Sequence, residues 1–245
     1  MLGSTADIDM AQAMADNRRY QMDDTLFVRF YEETMQDIAA TEREGRPIFG
    51  EVEMIEIMQP GIARDDQDYH AAQVMNFVLG SSGFGSRLTE EIREKQGLTY
   101  GIYSSFYNLD QLAAMSVSTS TKNENVSKML AAIHNEFTKM RDEGVSQKEL
   151  DDAKSYLIGS LPLSLTSTDK ISGLMLSLMR DDLPINYLDT REKAIQNMTL
   201  EDISNIAKRL LSPAEFVTVL TGQPPIDTLE WLGDITVIET LPNVE

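Results

Sequence analysis

Apolar side chains recur along this chain with two spacings, one typical of strands and one typical of helices. Residues 112–121 alternate strictly, with Ala113, Met115, Val117 and Thr119 on one side and Ala114, Ser116, Ser118 and Ser120 on the other. That alternation predicts a strand with one apolar and one open face. The pattern of residues 98–107 predicts a second strand, antiparallel to that strand and next to it. Residues 52–59 are predicted to form the first strand of the chain, and the apolar run 215–221 the last.

Helical spacing is clearest between Asn123 and Gly144. One apolar stripe there consists of Val126, Met129, Leu130, Ile133, Phe137 and Met140. A second helix is predicted over residues 66–79, with Gly80 in the usual role of a C-terminal glycine.

Capping residues and a proline predict further helices. Ser146, with Glu149 three residues later, forms a capping box that begins a helix. Pro162 bends or ends that helix, another begins near Thr168, and Thr199 caps a later one. Because strands group with strands and helices with helices, the pattern predicts an α+β fold rather than an alternating parallel one.

The two ends of the chain have weaker patterns. Residues 1–58 contain a β-rich run at 25–31 and turn residues at 42–47. They form an N-terminal segment that is not assigned to a domain. It is a segment fused from another protein, a linker, or the source of the first strand. Residues 223–245 predict either a loose tail or a short helix at Trp231 followed by an edge strand.

The most informative segment is residues 80–101. It predicts a glycine-rich turn, a short charged helix that ends at Arg93, and a strand that begins at Leu98 and carries Tyr100. Arg93 and Tyr100 are seven positions apart across the helix-to-strand turn, so their side chains can point at one spot. A guanidinium and a phenol placed in this way can hold a peptide carbonyl.

Residues 59–222 resemble the C-terminal half-domain of the insulinase/pitrilysin family of zinc metallopeptidases. The motifs that carry the resemblance are residues 59–69, 76–80, 80–101, 120–126, 149–160 and 188–190. The resemblance implies an antiparallel sheet backed by helices, in a metallopeptidase half-domain of that type.

The zinc motif of that family is missing from this chain. Its proteases bind the metal through H-x-x-E-H, in which two histidines on one helical face are ligands and the glutamate activates water. Here the only histidines are His70 and His134, 64 residues apart. We expect His70 to lie on or partly within a helix surface, and His134 to pair with a neighbouring carboxylate such as Glu136. We therefore expect no metal site on this chain, and zinc on a partner half.

The resemblance also implies a role for Arg93 and Tyr100. They fall on the family's paired arginine and tyrosine, which are implicated in holding the substrate backbone near the scissile carbonyl. The residues alone leave alternatives open. Arg93 could complement a helix end and pair with Glu90 or Glu94, and Tyr100 could pack beside Leu98, Ile102 and Phe106.

Three glycines, Gly80, Gly83 and Gly85, define the glycine-rich loop. The loop lacks the lysine and hydroxyl of a phosphate-binding loop, and its spacing does not fit a dinucleotide fingerprint. The resembled family includes mitochondrial processing peptidases, which have a glycine-rich loop of similar character. That resemblance implies a mobile loop at the mouth of the substrate cavity. Its plainest role is a tight turn between two helices.

Composition narrows the possible partners. The 245 residues carry a net charge of -19 and no cysteine, with 42% hydrophobic residues, which is typical of a globular protein. Without a basic stripe, nucleic acid and anionic membranes are poor partners. No apolar run is long enough for a membrane span, and residues 1–15 do not form a secretory signal. We expect a soluble protein, cytoplasmic or periplasmic.

The expected function is that of a substrate-positioning, zinc-free half of a two-part metalloendopeptidase, inactive alone. Its expected partners are a zinc-bearing homologous domain or subunit, in a heterodimer, and a peptide substrate. The alternatives are a non-catalytic scaffold subunit of the same fold, and a fusion or fragment whose N-terminal segment is an interaction module.

Overall fold

A four-stranded antiparallel sheet forms the centre of this computed structural model, in which residues 52–82, 85–109 and 112–237 are described. The strands are β1 (Val52–Pro60), β2 (Ile102–Leu109), β3 (Leu112–Lys122) and β4 (Val217–Thr221). Their order is β2-β3-β1-β4, so β1 lies inside the sheet and pairs with both β3 and β4. This sheet, backed by helices, confirms the predicted α+β class.

The predicted helices occur in the predicted order, with one additional helix, the sixth, among them. They are α1 (Tyr69–Asn76), which continues as a π-helical turn (Phe77–Ser81); the short π-type helix α2 (Thr89–Glu94); α3 (Val126–Glu143); α4 (Gln147–Gly159); α5 (Thr168–Arg180); α6 (Tyr187–Asn197); and α7 (Leu200–Leu210). Ser146 forms the predicted capping box, and Thr199 caps its helix as predicted, in a capping box with Asp202. Gly144 adopts a φ of 70° and ends α3. Within the described residues, no helix is long and apolar enough to cross a membrane.

The core lies between one face of the sheet and the helices. Ile55, Ile57 and Val117 point into it from the strands, and the whole predicted stripe of α3 is buried. Gln59 is also buried on this side. Its side-chain amide donates to the Leu210 carbonyl over 2.8 Å and accepts from the Ser212 amide over 3.3 Å, which ties β1 to the end of α7.

The other face of the sheet is open along β2. Tyr103 and Tyr107 are both exposed there, four residues apart. The prediction that this whole side of β3 is open is wrong at Ala114 and Ser116, which are buried. At Ala114 the chain leaving β1 lies very close, since a Cβ on Gly61 would come within 2.5 Å of the Ala114 carbonyl carbon.

Two strands begin later than predicted. β2 begins at Ile102, not at Leu98, so Tyr100 lies in the connection before the strand. β4 begins at Val217 because Pro213–Glu215 forms a 3-10 turn.

Two segments complete the described chain. Helix α6 is not predicted from the sequence. Ile226–Leu232 forms a 3-10 helix that carries Trp231, and residues 234–237 form no strand. The rest of the predicted edge strand lies outside the described residues.

Candidate functional site

The candidate site is built on α2, a short helix that the core and one ion pair hold in place. Leu88 and Ile92 are completely buried. Just before the helix, the Arg87 guanidinium donates two hydrogen bonds to the Glu149 carboxylate, over 2.6 and 2.8 Å, and one to the Gly144 carbonyl over 2.9 Å. Burial raises the pKa of Glu149, but the hydrogen bonds from Arg87 and Ser146 outweigh it, so the pKa falls to about 2. The base of α2 is therefore fixed to α4.

Gly97 reverses the chain after α2. Its φ of 62° is a left-handed conformation that glycine adopts without steric cost. The Gly97 amide donates to the Arg93 carbonyl over 3.0 Å, and the Leu98 amide donates to the Ile92 carbonyl over 3.1 Å. The turn thus places Arg93 on one arm and Tyr100 on the other.

Two threonines of β3 brace the arm that carries Tyr100. Thr121 donates its hydroxyl to the Leu98 carbonyl over 2.6 Å, and Thr119 donates to the Gly101 carbonyl over 2.9 Å. The Tyr100 side chain itself is 97% exposed. The alternative that Tyr100 packs beside Leu98, Ile102 and Phe106 is therefore wrong, because the residue precedes the strand.

Arg93 lies in the last turn of α2 with its side chain 32% exposed. Its Nη1 atom is 3.6 Å from Oε1 of Glu94. This is the helix-end pairing that the sequence allows, and the side chain as a whole remains partly exposed.

The glycine-rich loop is only partly within the described residues, because Gly83 is outside them. Gly85 has a φ of 90°, as a tight turn requires. Gly80 does not end α1, which corrects the prediction: it lies inside the π-helical turn and is buried. A Cβ there would come within 2.8 Å of Leu88 Cδ1 and would collide with the Ser104 hydroxyl. Gly80 is therefore required for the close approach of this turn to β2 and α2.

The two histidines lie apart in different surroundings. His70 is half-buried in α1, with Nδ1 3.0 Å from the Gln73 side-chain oxygen and its ring centroid 5.6 Å from that of Tyr187. His134 packs edge-on against Phe216 and Trp231, and burial lowers its pKa. The expected pairing of His134 with a carboxylate is wrong, since Glu136 is buried beside Lys139 instead.

No metal centre is assembled from the described residues. Across 52–82, 85–109 and 112–237, no group of three or more His, Cys, Asp or Glu side chains is placed to hold an ion. The described residues therefore offer no ligand set for zinc.

Two features of the structure are not predicted from the sequence, the backbone angle of Gly97 and the position of Glu56. A Cβ on Gly97 would meet no atom within 4 Å, so it is the backbone angle alone that requires glycine there. Glu56 lies on the open face of the sheet, where Ser118 donates a hydrogen bond of 2.6 Å to its carboxylate. An acidic residue between Ile55 and Ile57 in an alternating strand is the signal that could have identified it.

Comparison with known proteins places these features in a family. A model of the peptidase M16 inactive domain matches residues 35–157. Among curated proteins, the chain is 37% identical over 146 residues to the "Non-peptidase homolog YmxG" of Helicobacter pylori, covering 58% of this chain and 33% of that protein. It is 28% identical over 142 residues to the "Uncharacterized zinc protease YmxG" of Bacillus subtilis, covering 57% and 34%.

Among solved structures, the peptidase M16 inactive domain from Pseudomonas fluorescens superposes with a TM-score of 0.66 at 35% identity. The superposition covers 72% of this chain and 42% of that one. The chain spans about a third of the length of the curated relatives it matches.

Proposed function

The chain belongs to the peptidase M16 family, the insulinase/pitrilysin family that its sequence resembles, and on that premise we propose that it positions substrate for a zinc-bearing partner half. In this proposal, residues 59–222 together with β1 (Val52–Pro60), the first strand, are the zinc-free half of a two-part metalloendopeptidase. Residues 223–245 and the part of the N-terminal segment before the family match are flanking segments. The family match begins at residue 35, which supports including part of the N-terminal segment in the same unit.

The observation that carries the proposal is the Gly97 turn. It presents Arg93 and the exposed Tyr100 from a backbone braced by Thr119 and Thr121. The Arg93 guanidinium and the Tyr100 hydroxyl would donate hydrogen bonds to the substrate carbonyl, where negative charge develops during attack. The partner's zinc would supply the activated water. This chain's part is to bind and orient the peptide.

A surface on α5 supports association with another chain. We define the α5 surface by four residues of α5, Ile171, Met175, Leu176 and Met179, together with Leu163 of the preceding 3-10 turn, all exposed large apolar residues. Of the residues in α5, only Leu178 is buried. An apolar helix of this kind is normally covered in the functional assembly.

We assign the zinc-bearing half as the occupant of the α5 surface. The curated relatives are about three times as long as the part matched here, so in them this unit adjoins further chain. A second copy is disfavoured, because it would bring two molecules with a net charge of -19 together.

The test is reconstitution. The full chain is mixed with the zinc-bearing M16 half, the one that carries H-x-x-E-H, expressed as a separate polypeptide. Each is inactive alone in the proposal, and the mixture cleaves peptide. Arg93→Ala or Tyr100→Phe lowers kcat by about 10²–10³ without weakening association.

Matched controls exist in this chain. Arg141 also lies in the last turn of a helix and pairs with the next residue, Asp142, so Arg141→Ala should leave kcat unchanged. Tyr156 is another exposed tyrosine, and Tyr156→Phe serves as the control for Tyr100→Phe. An active mixture in which Arg93→Ala and Tyr100→Phe behave as the unmodified chain would refute the assigned roles.

A second candidate function is a non-catalytic scaffold. The name of the Helicobacter pylori relative, a non-peptidase homolog, favours it. A scaffold would form a stable complex whose activity does not depend on Arg93 or Tyr100. The same set of variants therefore separates the two functions.

A further inference from the structure

Three residues form a row across the sheet on the face that is open along β2, and the buried Val219 of β4 continues the row beyond the third. Tyr103 on β2 is directly opposite Ser118 on β3, and Ser118 is directly opposite Glu56 on β1. Adjacent strands are about 4.8 Å apart, so the row spans about 10 Å. Ser118 donates its hydroxyl to Oε2 of Glu56 over 2.6 Å, and Tyr103 is 56% exposed at the other end.

Within the described part of the chain, no lysine or arginine pairs with the Glu56 carboxylate. Its side-chain hydrogen bond comes from Ser118. Burial raises its pKa, and the Ser118 hydrogen bond only partly opposes this. A cation brought to this carboxylate would therefore gain a charge-assisted hydrogen bond in a partly desolvated position.

The row is continuous with the candidate site. A Cβ on Gly101 would lie 3.1 Å from the Tyr103 ring, so this ring lies over the residue that follows Tyr100. A peptide whose backbone is held at Tyr100 would therefore pass close to the row. The net charge of -19 also favours basic peptides through long-range attraction.

We infer that the Tyr103–Ser118–Glu56 row is a subsite for a basic side chain of the peptide substrate. The Glu56 carboxylate accepts hydrogen bonds from the ammonium of lysine or the guanidinium of arginine. The exposed Tyr103, on the far side of Ser118, would flank the same side chain. The inference rests on the proposed function, since it assumes that the peptide is held at Arg93 and Tyr100.

The test compares two peptides that differ at one position, lysine in one and norleucine in the other. The reconstituted pair should cleave the lysine peptide with a kcat/KM about tenfold higher, the effect of one charge-assisted hydrogen bond. Glu56→Gln keeps the size of the side chain and an acceptor for Ser118. It should bring the ratio of the two kcat/KM values close to one.

A purely structural effect of Glu56→Gln would change kcat/KM for both peptides by the same factor, so the ratio of the two values would stay the same. Glu201→Gln, on the exposed first turn of α7, is the matched control and should keep the preference for lysine. A lysine preference that is unchanged in Glu56→Gln would overturn the inference. So would weaker partner binding by Glu56→Gln with an unchanged ratio in the complex that still forms, since the face would then be an interface between the halves.

A binding measurement separates this inference from the proposed function. Anisotropy of the fluorescently labelled lysine peptide is measured with the full chain alone. Binding that requires Glu56, together with no cleavage by the reconstituted pair, would keep the subsite and refute the function. Cleavage that requires Arg93, with no effect of Glu56→Gln on the lysine-to-norleucine ratio, would refute the subsite and keep the function.

Discussion

Glu149 is the residue whose ionisation is coupled most clearly to folding. Its pKa falls from an ordinary 4.5 to about 2, so the folded state favours the charged carboxylate. The resulting stabilisation is complete above about pH 4.5 and is lost as the pH falls towards 2. A shift of this size corresponds to a free energy on the order of 3 kcal/mol.

We predict that Glu149→Gln lowers the free energy of unfolding at pH 7 by up to about 3 kcal/mol. The difference from the unmodified chain should shrink steadily between pH 4.5 and pH 2, because the carboxylate becomes protonated there. Urea unfolding across this range measures it. Asp152→Asn, which removes an exposed partner of Lys148 on the same helix, should show no such trend.

Close packing, and not the backbone angle, is the reason that glycine occupies position 80. We predict that Gly80→Ala destabilises the fold by about 1–3 kcal/mol, because the new methyl group has no room beside Leu88 and Ser104. Thermal unfolding measures the effect. The control is Gly159→Ala in α4, where a Cβ meets open space and the change should be neutral or slightly stabilising. Equal stability of both variants would contradict this account of Gly80.

At the scale of elements, the connection between α2 and β2 depends on one left-handed residue. We predict that Gly97→Ala lowers the free energy of unfolding by about 1 kcal/mol, because alanine resists a φ of 62°. Asparagine tolerates that region better, so Gly97→Asn should recover part of the loss. Chemical unfolding of the three chains gives the order. A Gly97→Ala variant as stable as the unmodified chain would show that the turn readily adopts another conformation.

The elements that the sequence predicts well are those set by local signals. The stripe of α3, the capping box at Ser146, the cap at Thr199 and the break at Pro162 are all short-range, and the structure confirms them. Helix α6 has none of these signals. Its N-terminal Asn186 makes no side-chain capping bond, and only Tyr187 and Ile195 of its residues are buried.

Boundaries set by distant contacts could not be predicted. β2 begins at Ile102 because the preceding residues are bonded to the side chains of Thr119 and Thr121, about twenty positions away. In the candidate site, it is the family resemblance, and not their spacing, that identifies Arg93 and Tyr100. The row containing Glu56 needs the register of three strands, which no local pattern in the sequence contains.

At the scale of the whole molecule, the proposed function gives the α5 surface and the Gly97 turn separable contributions. The first would hold the zinc-bearing half, and the second would act on the peptide. Variants on α5 should therefore change affinity between the halves. Variants of Arg93 and Tyr100 should change turnover in a complex that still forms.

We predict that the double variant Leu176→Ser and Met179→Ser weakens binding to the zinc-bearing half by at least about tenfold, as loss of buried apolar anchors does. These side chains are 68% and 77% exposed in the isolated chain, so its own stability should change little. Affinity is measured by sedimentation of the labelled chain against increasing concentrations of the zinc-bearing half. Val237→Ser, at another exposed apolar residue, should bind normally. Unchanged affinity of the double variant would place the interface elsewhere. If the chain alone sediments with the mass of a dimer, and the double variant sediments as a monomer, the α5 surface is instead a site of self-association. Such a dimer would form despite the repulsion between two chains of net charge -19.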